Sequence, residues 1–119
     1  MRGKKIVLDL EFIPYRRKQE PYCVHEIIEI GAVALDADNE IYDEFQMYVK
    51  PQYGTVPPFV TAITGITNEM LVGQVSFSEA MQAFEAWLPQ EDSYRFYTWS
   101  GSDQHVFQAE AEWKERPLL

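Results

Sequence analysis

Apolar and polar positions along the chain follow two periodicities. In "IVLDLEF" (6–12), Ile6, Leu8, Leu10 and Phe12 fall on one side of an extended segment, with Asp9 and Glu11 on the other. This pattern predicts a first strand over 5–12. Residues 13–25 hold Pro14, Pro21 and the run Arg16-Arg17-Lys18, which predict a loop. "EIIEIGAVAL" (26–35) is β-rich and mostly apolar, as in a buried strand, and "DADN" (36–39) supplies turn residues. Residues 40–49 alternate again, with Ile41, Phe45, Met47 and Val49 on one side and Tyr42, Glu44, Gln46 and Tyr48 on the other. The second and third strands therefore make a hairpin. Asp43 interrupts the apolar side near one end.

From Pro57 the period changes from two to about 3.6. "FVTAIT" follows Pro57-Pro58 and stops at Gly65, as a short helix does. "TNEMLVG" adds a turn or two. Ser76 and Glu79 fit an S-x-x-E capping box ahead of Phe77, Ala80, Met81, Phe84, Trp87 and Leu88 at helical spacing, and Pro89 follows. "YRFYTW" (94–99) predicts a fourth strand, "SGSD" (100–103) a turn, and 103–114 a last helix. The order β-β-β-α-β-α, opening with a three-strand meander, specifies an α/β layered domain. A chain of 119 residues suits one domain, and no stretch has the composition of an interdomain linker.

The formal net charge of −9 argues against binding nucleic acid or anionic membranes through surface charge alone. It leaves room for a small site where bound cations supply the positive charge. Cys23 is the only cysteine, so an internal disulfide and a cysteine-based zinc site are excluded, and a reducing cytoplasm is the expected location. Asp9 and Glu11 cut the first apolar run too short for a signal peptide, and no membrane span is expected.

The same two acids are the first chemical feature. Like charges a few ångströms apart repel, and in a low dielectric one of them would stay protonated. A divalent cation removes the conflict, and oxygen-only ligands suit Mg²⁺ or Mn²⁺. A pair of exposed acids on a half-buried strand is the competing reading. Asp103 is the third candidate, although an acid on the first turn of a helix also serves as a cap or faces the helix dipole.

The segments "IVLDLEF", "HEIIEIGAV", "FQMYVKP", "ITGIT", "FSEAMQAFEAWL" and "FYTWSGSDQHVF" occur in that order. Together they resemble the DEDDh branch of the DnaQ-like 3′–5′ exonucleases. The likeness is greatest to the histone-mRNA and small-RNA trimming enzymes and their bacterial relatives, and it covers nearly all of residues 4–113. The resemblance implies an RNase H-like fold with a mixed sheet. It implies that Asp9 and Glu11, the D-x-E motif, and Asp103, the second motif, are catalytic metal ligands. Two ions, Mg²⁺ or Mn²⁺, would clamp the scissile phosphate about 4 Å apart. The implied reaction hydrolyses the 3′ end of RNA, favoured, or single-stranded DNA to nucleoside monophosphates. Leu10 and Phe12, through the backbone around them, and Thr64, Gly65 and Ile66 would grip the terminal nucleotide. Trp99 and Ser100 would line the second-motif side. For Ile66 and Trp99, core packing is the competing role.

The family's third motif places a general-base histidine, and five residues later a fourth acid, on a helix after a fifth strand. Leu119 is reached before that strand, so residues 1–119 are expected to be the N-terminal part of an exonuclease-like domain. His25 and His105 are the only histidines, and neither matches the catalytic position. General-base help contributes about 10²–10⁴-fold, so this chain alone is expected to be very weak or inactive. Without a fifth strand, the fourth becomes a sheet edge. Exposed apolar surface is expected near Phe96, Trp99, Phe107 and Trp113, with self-association as one outcome. Arg16, Arg17 and Lys18 either contact the substrate backbone or form a solvated loop. Glu29 lies in an apolar strand, and relatives also carry an acid there, without an assigned role. The alternatives to an exonuclease are a non-catalytic module binding nucleic acid or protein on a degenerate exonuclease fold, and an incomplete gene fragment.

Overall fold

The computed structural model describes residues 4–16, 23–90, 94–98, 106, 109 and 110. Its elements are β1 (Lys4–Arg16), β2 (Cys23–Leu35), β3 (Ile41–Tyr48), α1 (Pro58–Thr64), α2 (Asn68–Leu71), α3 (Phe77–Trp87) and β4 (Tyr94–Thr98). Val106, Ala109 and Glu110 are helical, within the predicted last helix, whose other residues lie outside those described. The strands form one mixed sheet in the order β3-β2-β1-β4. β1, β2 and β3 pair antiparallel as the expected meander, and β4 returns parallel to β1. A parallel return needs a crossover connection, which α1, α2 and α3 supply.

The first two strands are longer than the hydrophobic pattern predicts. β1 continues to Arg16 and β2 begins at Cys23, so much of the predicted 13–25 loop is a two-stranded ribbon with Ile13 opposite Glu26 and Pro14 opposite His25. Pairing with β2 overrides the local signal of Pro14, and among the described residues β4 accompanies β1 only as far as Leu8. Proline is tolerated where one side of a strand carries no ladder.

Two register shifts decide which side chains are buried. Glu11 opposes Glu29 while Phe12 opposes Ile27, which leaves Ile28 as an extra residue on β2. Ile27 and Ile30 therefore face one core cluster and Ile28 the other. The first cluster sets Ile6, Leu8, Leu10, Ile27 and Ile30 against Phe77, Ala80, Met81 and Phe84 of α3 and against Val106. The second sets Ile13 and Ile28 against Val56, Val60, Ile66 and Leu71 around α1 and α2. Helices thus cover both faces of the sheet, α3 on one and α1–α2 on the other. On β3, Ile41 opposes Leu35 and Asp43 opposes Ala34, so Tyr42 is the extra residue. This turns Ile41 away from Phe45 and Met47, which pack on the first cluster, and leaves it exposed. The single apolar side predicted for residues 41–49 is split there.

The helix boundaries match the sequence signals. Gly65 ends α1 in the left-handed region, at φ 80°, and its N–H donates to the Thr61 carbonyl at 2.8 Å. Ser76 Oγ accepts from the Glu79 N–H at 3.2 Å, and Glu79 Oε1 accepts from the Ser76 N–H at 3.1 Å. β4 is an outer strand of the described sheet, with Phe96 and Tyr97 each 44% exposed. Trp99, Phe107 and Trp113 lie outside the described residues. No described helix is long and apolar enough to cross a membrane.

Candidate functional site

Leu8 and Leu10 are buried in the first cluster, and this fixes the opposite face of β1. Asp9 is exposed and Glu11 half-buried on that opposite face, about 7 Å apart along the strand. A one-residue slip would drive both carboxylates into the core, so the register of the pair is set by the apolar side chains between them. The parallel pairing of β1 with β4 ends at Leu8 opposite Thr98. Asp9 is the next residue of β1 after the last described pair with β4.

Across from the acids, β2 places Gly31 opposite Asp9 and Glu29 opposite Glu11. A Cβ at Gly31 would lie 3.4 Å from the Asp9 carbonyl oxygen. Its absence leaves the acid face open beside Asp9. Glu29 Oε2 accepts from Gln46 Nε2 at 2.8 Å, which ties this third acid to β3.

Two residues beyond Glu11, Ile13 packs in the second cluster with Val60, Ile66 and Leu71. Thr64 Oγ1 donates to the Val60 carbonyl at 2.8 Å and accepts from the Ile66 N–H at 3.1 Å. Thr61 Oγ1 donates to the Ile66 carbonyl at 2.7 Å. These bonds brace the Thr64–Gly65–Ile66 segment. The Ile66 side chain is buried in the second cluster, so the packing role is the one the structure shows for it. Leu10 is likewise a core side chain, and Phe12 packs on the first cluster with its ring edge-on to His25 at 5.2 Å. Both side chains face away from Asp9 and Glu11, which leaves their backbone as the part adjoining the pair. Trp99, Ser100 and Asp103 lie outside the described residues, as do the side chains of Arg16, Arg17 and Lys18.

The structure brings Asp9 and Glu11 together. Among the described residues, no group of three or more His, Cys, Asp or Glu is gathered to hold a metal ion. The pair still suits a hard divalent cation, being two carboxylates on an accessible face with oxygen donors only.

Two residues stand out that the sequence reading did not single out. Glu26 and Glu110 are both fully buried. Glu26 accepts the main-chain N–H groups of Gln52 at 2.8 Å, Tyr53 at 3.1 Å and Gly54 at 2.6 Å. Glu110 Oε1 accepts the Ile27 N–H at 2.6 Å. The available signal was an acid opening the apolar run of 26–35, and an acid one helical turn after the buried Val106.

Comparison with known proteins agrees with this architecture. A family model described as "Exonuclease" matches residues 6–111. The chain belongs to this exonuclease family. Relatives of the chain include the DNA polymerase III subunit epsilon of Pasteurella multocida, 37% identical over 81 residues, covering 68% of the chain and 32% of that protein. The human 3′-5′ exoribonuclease 1 is 33% identical over 82 residues, covering 67% of the chain and 24% of that protein. The chain thus spans only a minor part of either relative. In fold, it matches the nuclease domain of 3′hExo, a DEDDh family member bound to rAMP, with a TM-score of 0.76 at 24% identity, over 94% of this chain and 60% of that one. The fold is therefore that of the RNase H-like exonucleases. DEDDh exonucleases as a family use divalent metal ions.

Proposed function

We propose that the chain is a divalent-metal-dependent 3′–5′ exonuclease domain that hydrolyses phosphodiester bonds at the 3′ end of RNA or single-stranded DNA to nucleoside monophosphates. The observation that carries this reading is the D-x-E pair, two carboxylates on one face of a core strand whose other face is packed in the core. Asp9 and Glu11 would hold the cation, with Asp103 as the third ligand and Mg²⁺ or Mn²⁺ in a two-ion site as the form that suits the donors. In sequence, Asp103 falls between two described anchors, Thr98 beside Leu8 and the buried Val106. When bound, the metal supplies positive charge at the scissile phosphate and lowers the pKa of a coordinated water.

The remaining work belongs to the chain. The backbone of Leu10 and Phe12, beside the acids, and the braced turn at Thr64, Gly65 and Ile66 would orient the terminal nucleotide, with Trp99 and Ser100 as the further residues the family resemblance assigns to it. Residues 51–68 contain no charged side chain, in a chain of net charge −9. This segment therefore gives a polyanionic strand an approach without local repulsion. RNA is the favoured substrate, which the exoribonuclease name of the human relative supports, while the Pasteurella relative is named for a DNA polymerase. His25 packs edge-on against Phe12. The exposed aromatics of β4 support self-association through that strand.

The test is loss of label from 3′-labelled RNA and DNA oligonucleotides in Mg²⁺, Mn²⁺ or EDTA, with Asp9→Ala in parallel. Slow, metal-dependent loss that disappears in Asp9→Ala is the expected result. Equal loss in Asp9→Ala would remove the metal assignment, and no loss under any condition would favour the non-catalytic module.

A further inference from the structure

We infer that Glu29 is a positioning residue for the candidate metal site, a carboxylate that orders the water carried by the cation without ligating the cation itself. The inference rests on the metal reading above and uses only Asp9 and Glu11 of it. Glu29 stands between Ile28 and Ile30, which are fully buried, while its own side chain is half-buried. It lies directly opposite Glu11, two positions along β2 from Gly31, the partner of Asp9. Residues directly opposite share a face of the sheet, with Cβ atoms about 4.5–5.5 Å apart, and like charges so placed weaken the pairing. A neutral side chain would serve the sheet better, so the acid calls for a role outside strand pairing.

Gln46 determines how this acid is held. It lies opposite Gly31 on β3, on the side of β2 away from β1, and its Nε2 donates to Glu29 Oε2 at 2.8 Å. The bond draws the carboxylate towards β3 and away from Glu11. Tyr48, opposite Glu29 on β3, packs on the second cluster. Glu29 thus stands beside the acid pair but apart from it, and among the described residues no three acids converge as metal ligands. Its Oε1 accepts no hydrogen bond among the described residues. A small divalent ion bound by one or two carboxylates keeps several waters, and those waters are donors. An ionised carboxylate only accepts, so Glu29 offers them a fixed acceptor and an added negative charge. Partners of this outer kind change metal affinity by about 10–100-fold. Two measurements therefore move in opposite directions. Without metal, Glu29 repels Glu11 and costs stability; with metal, its charge is answered.

The experiment compares wild type, Glu29→Gln, Glu44→Gln and Asp9→Ala as the full 119-residue chain. It measures Mn²⁺ binding by water-proton relaxation and the melting temperature in EDTA. Glu29→Gln keeps the shape of the side chain and an acceptor for Gln46 but removes the charge. It should weaken Mn²⁺ binding by about tenfold or more, with a melting temperature in EDTA equal to or above that of wild type. Glu44 is an exposed acid opposite Val33, farther along β3, so Glu44→Gln removes one charge away from the pair and should bind Mn²⁺ like wild type. Unchanged Mn²⁺ affinity in Glu29→Gln, with binding lost in Asp9→Ala, overturns the inference and leaves the metal reading standing. A Glu29→Gln chain that melts lower in EDTA or does not fold also overturns it, because the acid is then a structural one. Equal weakening in Glu44→Gln overturns it as well, by reducing the effect to net charge. If wild type binds no Mn²⁺, or Asp9→Ala binds it as well as wild type, the metal reading itself fails and the role of Glu29 falls with it.

Discussion

Glu26 holds three consecutive main-chain N–H groups from a position with no solvent exposure. Glu26→Ala strands those donors and should destabilise the fold by about 2–3 kcal/mol, read as a lower urea midpoint at unchanged slope. Asp9 is the opposite case, an exposed acid held among the described residues by the pairing of its backbone with β2. Asp9→Asn relieves repulsion and should leave metal-free stability within about 0.5 kcal/mol of wild type. On the proposed metal reading Mn²⁺ should raise the melting temperature of wild type and not that of Asp9→Asn, because a ligand stabilises only the state that binds it. A thermal shift series in EDTA and in Mn²⁺ checks both halves. These residues also mark what a sequence can reveal. Asp9 and Glu11 were legible because alternation along β1 puts them on one side, whatever they contact. Glu26 and Glu110 were not, because their meaning lies in N–H groups that only the tertiary fold brings to them.

At the scale of elements, α3 was legible to its ends, since periodicity, capping box and terminal proline all point the same way. The ribbon of β1 and β2 was not. Its stability comes from pairing between distant residues, which Pro14 and the basic run at 16–18 conceal. Both register shifts belong to pairs of strands, so no single segment announces them. The capping box also makes α3 sensitive to acid. The Ser76 main-chain N–H, and then the Ser76 side chain, hold the Glu79 carboxyl below its usual value of 4.5, against a smaller opposing effect of desolvation. A carboxyl lowered in the folded state adds stability that is present above the unfolded value and is lost as pH falls through the folded one. The urea midpoint of wild type should therefore exceed that of Glu79→Ala at pH 7, and the gap should narrow as pH is lowered below about 4.5. A gap independent of pH would show that the ionised carboxylate is not the capping species.

The whole molecule sets an apolar outer strand against a large charge of one sign. Among the described residues β4 closes one end of the sheet, with Phe96 and Tyr97 partly open to solvent. Phe96 also packs on Phe84, with ring centroids 6.4 Å apart, so it is half committed to the core. Tyr97 pairs with Val7 and so lies on the other face, that of the acid pair. An outer strand of this kind invites pairing with a second copy. The net charge of −9 opposes that approach at low salt. The Debye length falls from about 10 Å at 0.1 M salt to about 3 Å at 1 M, which removes long-range repulsion and leaves short-range apolar contact intact. Association through β4 should therefore increase with salt, measured as apparent mass by light scattering across a concentration series. Tyr97→Lys adds a charge on the exposed strand without touching the Phe84 contact, and it should return the chain towards monomer at every salt concentration. Association that weakens with salt would instead indicate contacts between opposite charges. A Tyr97→Lys chain that associates like wild type would place the contact elsewhere on the molecule.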